Sequence, residues 1–175
     1  MYNFAFKKLN STEITEDLFS QIMNVENSTG SGYEEDVLAS MWLDKKLDNF
    51  VCMHGDKVVA IASFNPFSSR RNGSIYMINL TVLQSPEYLR KGIAQNLILS
   101  ACKYYQKLER TLPMSTSVDK TNLPAINLYK KSGFKIVDPV CEIDEDDEQF
   151  ILEAPINLVI KTIEAQLAQK DLQKY

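Results

Sequence analysis

Pro86-Glu87-Tyr88-Leu89-Arg90-Lys91-Gly92-Ile93-Ala94 is the stretch on which the reading of this chain turns. Before it lies an apolar run, Ile75-Tyr76-Met77-Ile78-Asn79-Leu80-Thr81-Val82-Leu83, which predicts a long strand. Ile78, Leu80 and Val82 share one face of that strand, because side chains alternate. After it, Ile93, Leu97, Ala101, Tyr104 and Leu108 recur at helical spacing. The stretch therefore opens a helix directly behind a strand. A helix start leaves its first N–H groups unpaired and carries partial positive charge. A phosphate satisfies both. Gly92, without a Cβ, lets the backbone approach such a ligand, and Ala94 is the next small position. Arg90 and Lys91 sit where a cation is mildly unfavourable unless an anion is there too. A glycine that merely turns the chain accounts for Gly92 taken alone. A P-loop is excluded because no Gly-Lys-Ser/Thr follows, and a dinucleotide fingerprint needs more glycines.

Working outward, Phe4 to Leu9 reads as a first strand and residues 13 to 26 as a helix, with Ile14, Leu18, Ile22 and Val25 in register. Ser28-Thr29-Gly30-Ser31-Gly32 breaks it. A second helix is expected from Tyr33 to Leu47, with Val37, Met41 and Trp42 among its apolar positions. Phe50 to Met53 and Val58 to Ala62 predict a hairpin turning at Gly55-Asp56, with the single histidine, His54, as a strand-end surface residue. Arg70-Arg71-Asn72-Gly73 is a further turn with solvated arginines. Met114 to Val118, Phe134 to Val137 and Phe150 to Leu152 are shorter strands. The acidic run from Asp144 to Glu148 reads as a hydrated hairpin loop, with attraction of a cationic ligand as its other reading. Ile156, Val159, Ile160, Ile163 and Leu167 then form an apolar helical stripe, which packs on the domain or on a second copy of the chain. The expected division is a domain over residues 1–155 and an amphipathic helix over 156–175.

The 175 residues suit one core, and 45% hydrophobic content is ordinary for a globular chain. No apolar run approaches the roughly 18 residues of a membrane span. The N-terminus lacks the pattern of a secretory signal. A formal net charge of −4 argues against nucleic acid held through its phosphates and is compatible with a cationic substrate. Cys52, Cys102 and Cys141 are odd in number and far apart, without the paired spacing of a metal site, so no metal is expected. They read as reduced, mostly buried thiols of a cytoplasmic protein.

A second segment lies about thirty residues on: Asn122-Leu123-Pro124-Ala125-Ile126-Asn127-Leu128-Tyr129-Lys130-Lys131-Ser132-Gly133-Phe134. Asn122, Ala125 or Ile126, and Tyr129 line one face of a helix. Proline is tolerated in its first turn, and Gly133 suits its stop. Asn122 offers an amide that suits a ligand containing amide bonds, and Tyr129 offers one hydroxyl. The alternative is purely structural: Asn122 caps the helix and Tyr129 packs with Phe134.

Taken together, the two segments resemble the GNAT superfamily of N-acetyltransferases. That family carries glutamine or arginine, two residues, glycine, one residue, then glycine or alanine between its fourth strand and third helix. Leu89-Arg90-Lys91-Gly92-Ile93-Ala94 stands there in this chain. Its last helix often reads Asn, two residues, Ala, two residues, Leu-Tyr, then Gly-Phe, matched by Asn122, Ala125, Leu128, Tyr129, Gly133 and Phe134. The match covers roughly Phe50 to Phe134. Leu89 departs from the usual polar residue, with Arg90 next door. Gln84 stands where valine is usual two residues before the proline.

The resemblance implies an α/β fold of the α+β type: a mixed, mostly antiparallel sheet of six to seven strands flanked by helices, with an extra C-terminal helix. It implies acetyl transfer from acetyl-CoA to a primary amine, on a small molecule or on a protein or peptide, with no nucleic-acid or membrane partner. A homodimer through the C-terminal helix is one reading of the tail. Val82, Leu83, Gln84, Arg90, Lys91, Gly92, Ile93, Ala94, Gln95, Asn122 and Tyr129 would contact the cofactor. Backbone N–H groups near Val82 to Gln84 would stabilise the oxyanion. Tyr129 would hydrogen-bond or protonate the leaving thiolate, a transfer uphill by roughly 2 kcal/mol at ordinary pKa values. No acidic residue occurs on the strand Ile75 to Leu83, where some members of that family carry a glutamate; Glu26, Glu34 and Glu35, beside the first glycine-rich loop, or water, are the candidate bases. A non-catalytic sensor of acyl-CoA is the alternative of the same fold.

Overall fold

The hairpin at Gly55-Asp56 anchors the first part of the structure, a computed structural model that describes residues 3–30, 33–68, 73–137 and 148–172. Strand β2 (Asp48–His54) turns back as β3 (Lys57–Asn65), and β1 (Phe4–Leu9) pairs antiparallel along the other edge of β2. Strand β3 is buried from Val58 to Phe64, as a near-continuous apolar run requires. Helix α1 (Glu16–Asn27) is capped by the Thr15 side chain, which accepts from Leu18 N–H, and it buries Ile22 and Val25. The side chain of Gln21 on this helix accepts from Val58 N–H at 2.8 Å, tying α1 to the start of β3.

Helix α2 (Glu35–Leu43) is shorter than the sequence predicts. It stops because Asp44 turns extended and because Asn49 Nδ2 lies at 3.3 Å from the carbonyls of Met41 and Trp42. Leu38 and Trp42 are the residues it buries, whereas Val37 is exposed. The long strand is β4 (Ile75–Val82). Its better-buried positions are Ile75, Met77 and Thr81, so the face of Ile78, Leu80 and Val82 is the half-exposed one. Helix α3 (Ile93–Lys107), strand β5 (Met114–Asp119), helix α4 (Leu123–Lys131), strands β6 (Lys135–Val137) and β7 (Gln149–Ala154), and helix α5 (Ile156–Leu172) complete the chain.

The seven strands follow the order β1-β2-β3-β4-β5-β7-β6. β5 with β7 and β6 with β7 are antiparallel, as are the pairs at the β1 side. The fold class is therefore that expected from the sequence. The chain divides into two units: residues 1–66 with 77–101, and residues 67–76 with 102–175. In the second unit, α5 buries Ile156, Val159, Ile160 and Ile163, and Leu167 is half-buried. Its Glu164 pairs with Lys103 at 2.7 Å and its Asn157 accepts from Gln106 at 3.0 Å. Gly133 lies under this helix: a Cβ there would stand 3.1 Å from Thr162 Oγ1, and its φ of +95° already favours glycine. Residues 31–32, 70–72 and 138–147, which carry part of the first glycine-rich loop, the arginine turn, Cys141 and most of the acidic run, lie outside the described residues.

Candidate active site

In the first unit, the segment after β4 is built to hold a helix start open. Leu83 N–H donates to Val59 C=O at 2.8 Å, and Gln84 N–H donates to Ser28 Oγ at 3.1 Å. The Gln84 side chain folds back onto Val82 C=O at 2.9 Å. Both of these backbone donors, expected from the sequence near an oxyanion, are engaged within the protein. The chain then turns at Ser85, whose carbonyl accepts from the N–H groups of Tyr88 and Leu89. Tyr88 is buried, 4% exposed, and fixes the turn to the sheet. Its ring meets Phe4 and His54 edge-on, and His54 Nδ1 lies 3.4 Å from its hydroxyl and 3.8 Å from Glu87. His54 thus sits half-buried at the end of β2 as a packing partner of the turn.

Arg90 takes φ +61° and Gly92 φ +78°. Left-handed residues near a helix start turn successive N–H groups toward one concave surface, the geometry of an anion nest. Asn96 N–H donates to Gly92 C=O at 3.0 Å, and Asn96 Nδ2 doubles that bond at 3.0 Å. Among the described residues, the amides of Ile93 and Ala94 have no partner. A Cβ on Gly92 would meet nothing closer than Asn96 Nδ2 at 3.7 Å, so the backbone angle, not crowding within the protein, is what calls for glycine there. Arg90 and Lys91 are exposed, as is Leu89. These features fit a pyrophosphate: several convergent amides, a dipole end and two cations on one short turn.

The second unit holds Asn122 and Tyr129. Asn122 Oδ1 accepts from Ala125 N–H at 3.2 Å, the cap of α4, and no described residue engages its Nδ2. Capping uses the acceptor of the amide and leaves the donor, so the structural and ligand readings of Asn122 coexist. Tyr129 is 7% exposed, with its ring 5.7 Å from that of Phe134. Burial pushes its phenol up to about 12, with a hydrogen bond to Thr116 pulling the other way and Tyr76 adding to the rise. Tyr76 Oη in turn lies 2.7 Å from Ser117 Oγ. Tyr129 is thus a neutral donor at any physiological pH.

Burial raises the thiols of Cys52 and Cys102 to about 12, so neither is a ready nucleophile. Among the described residues, no group of three His, Cys, Asp or Glu side chains is placed to hold a metal, and no helix is long and apolar enough to cross a membrane.

The first unit also contains a cluster whose pairing is not evident from the sequence. Glu26, on the last turn of α1, is 3% exposed. Its Oε2 accepts from Asn79 Nδ2 and from Thr81 Oγ1, each at 2.9 Å. A signal was there: Asn79 and Thr81 are polar residues two apart in an otherwise apolar strand, and Glu26 falls four residues after buried Ile22.

A mixed sheet of this order, with an open helix start behind its fourth strand, defines the class of acyl-CoA N-acyltransferase folds. The acetyltransferase (GNAT) family matches the chain over residues 13–134, and the protein belongs to that family. An N-alpha-acetyltransferase of Sulfurisphaera tokodaii is 32% identical over 82 residues, 46% of this chain and 48% of that protein. The match spans about half the length of that curated relative. The crystal structure of the ribosomal-protein-S18-alanine N-acetyltransferase from Escherichia coli is similar, with a TM-score of 0.68 and 19% identity over 88% of this chain and 94% of that one. Arabidopsis thaliana NAA60 in complex with acetyl-CoA is similar with a TM-score of 0.66 and 16% identity, over 89% of this chain and 99% of that one. At such identities the likeness is one of fold.

Proposed function

We propose that this protein transfers an acetyl group from acetyl-CoA to a primary amine by direct attack on the thioester. The observation that carries the reading is the start of α3: the amides of Ile93 and Ala94, without a partner among the described residues, behind left-handed Arg90 and Gly92, in a chain of the acetyltransferase (GNAT) family. In this reading, residues 1–155 form the acetyltransferase domain. Arg90, Lys91 and the amides of Gly92 to Gln95 hold the pyrophosphate. Val82 to Gln84 face the thioester end of the cofactor, and Asn122 Nδ2 donates to its amide arm. The acceptor amine adds to the carbonyl carbon, the carbon–sulfur bond breaks, and Tyr129 steadies the departing sulfur.

The raised phenol limits how far that last step goes. With the phenol at about 12 and a thiol near 8.5, complete transfer costs roughly 5 kcal/mol, more than ordinary values imply. Tyr129 therefore acts by donating a hydrogen bond to the thiolate, and the amine's own second proton finishes on sulfur. The N-alpha-acetyltransferase relative supports a protein or peptide N-terminus as acceptor ahead of a free small amine.

The test is thiol release from acetyl-CoA with spermidine, lysine methyl ester and a peptide bearing a free N-terminal alanine, beside calorimetric titration with coenzyme A. Binding of coenzyme A with amine-dependent thiol release supports the reading. Binding without release from any of the three marks a non-catalytic acyl-CoA sensor and overturns it.

A further inference from the structure

A carboxylate taken out of water is costly unless donors or a cation meet it. Glu26 is 3% exposed and forms no ion pair among the described residues. Two neutral groups hold it, both through Oε2: Asn79 Nδ2 and Thr81 Oγ1, each at 2.9 Å. The Thr81 hydroxyl has a single proton and also lies 2.9 Å from Asn79 Oδ1, so the three side chains form one closed cluster. No bond from a described residue reaches Oε1. The carboxylate is oriented by its partners but not neutralised by them.

The surroundings add to its pull on a cation. Glu26 stands on the last turn of α1, where the carbonyl ends carry partial negative charge, and that turn contains no basic residue. Two residues further on, Ser28 Oγ accepts from Gln84 N–H at 3.1 Å while donating to Val25 C=O at 2.6 Å. The end of α1 is thus tied to the strand β4 and its exit at two points, residues 79–81 and residue 84. The second point is the stretch to which the thioester end of the cofactor is assigned above.

We propose that Glu26 receives the protonated amine of the acceptor and takes its first proton, with Asn79 and Thr81 as positioning residues. This rests on the acetyl-transfer reading given above. An alkylammonium has a pKa near 10.4 and cannot attack until one N–H proton has left. That proton moves to Glu26, leaving a neutral amine and a neutral acid. The nitrogen lone pair then forms the new N–C bond, and the thioester C=O becomes an oxyanion. As the carbonyl reforms, the C–S bond breaks, the second nitrogen proton passes to sulfur, and Glu26 returns its proton to solvent. The products are the amide, coenzyme A thiol and one proton.

The experiment measures kcat/KM against pH, using whichever of the three probe amines releases thiol fastest, with calorimetric titration of coenzyme A in parallel. For Glu26→Gln we expect kcat/KM for the amine to fall about 10²-fold, the acidic limb of the profile to vanish, and coenzyme A affinity to stay within about twofold. Wild-type kcat/KM with an unmoved limb in this variant overturns the proposal while leaving acetyl transfer intact. Absence of release from all three amines in the wild type removes the acetyl-transfer reading and this proposal with it. If Glu26→Gln does not fold, Thr81→Val and Thr81→Ser carry the test. Losing one donor to the charged form raises a carboxyl pKa, so the limb moves to higher pH in Thr81→Val and returns in Thr81→Ser. A limb unmoved by Thr81→Val contradicts it, because a merely structural threonine would not shift a pH profile.

Discussion

The two helix starts that carry the family motifs are built in opposite ways. At α4, Asn122 lends its side-chain oxygen to Ala125 N–H, and Pro124 within the first turn has no N–H to satisfy. The helix closes itself. At α3, Gly92 and Arg90 enter left-handed, and the Asn96 side chain reaches back to bond a carbonyl rather than an amide. That start leaves the N–H groups of Ile93 and Ala94 without a partner among the described residues. In the proposed reading, a closed start suits a helix that acts further along, at Tyr129, and an open start suits a helix whose first turn is itself the binding surface.

The comparison is broken most directly by removing what keeps the α3 start open. A β-branched residue at φ +78° is strongly disfavoured, so Gly92→Val should weaken coenzyme A binding on the order of 10²-fold by calorimetry. Unchanged affinity would show that the left-handed turn is incidental. The counterpart on α4 is Tyr129→Phe, for which kcat should drop about 10²-fold with coenzyme A affinity nearly intact. Unchanged turnover would return Tyr129 to a packing role beside Phe134.

Titration probes the buried groups. The thiols of Cys52 and Cys102 and the Tyr129 phenol all titrate near 12 in the folded chain. In the unfolded chain they lose protons from about pH 8.5 to 10 upward. The unfolded state thus binds fewer protons above that range, so stability falls as pH rises. Urea unfolding should show a loss of roughly 2 kcal/mol or more between pH 8 and pH 10. The smallest effect belongs to the closed start: Asn122→Ala should cost about 1 kcal/mol of stability through the lost cap and only a few-fold in coenzyme A affinity. A large loss of affinity there would mean that the amide serves the ligand first and the helix second.

What could be read from the sequence was local. The strand at Ile75, the helix behind Gly92 and the β2–β3 hairpin follow from periodicities and turn residues within a few positions of each other. Helix α2 was overread to Leu47, because its stop is imposed by Asn49 bonding the carbonyls of Met41 and Trp42, a contact made only once β2 is in place. Which face of β4 is buried was not legible locally, for a related reason. Apolar content singled out Ile78, Leu80 and Val82, but Thr81 on the other face is buried by Glu26, which lies 55 positions earlier. At Asn122 the capping reading is borne out, and because the cap takes only one end of the amide it leaves the donor end open to the ligand reading. Glu26 was visible as a candidate, yet nothing local could tell it from Glu34 or Glu35. Only the pairing with Asn79 and Thr81 sets it apart.

The central claim is that the amides opening α3 hold the pyrophosphate of coenzyme A. Titrating ¹⁵N-labelled protein with coenzyme A, and following each backbone amide by NMR, addresses it most directly. The account predicts that the largest shifts fall on Gly92, Ile93, Ala94 and Gln95. Saturable binding that leaves those four signals where they began would contradict it.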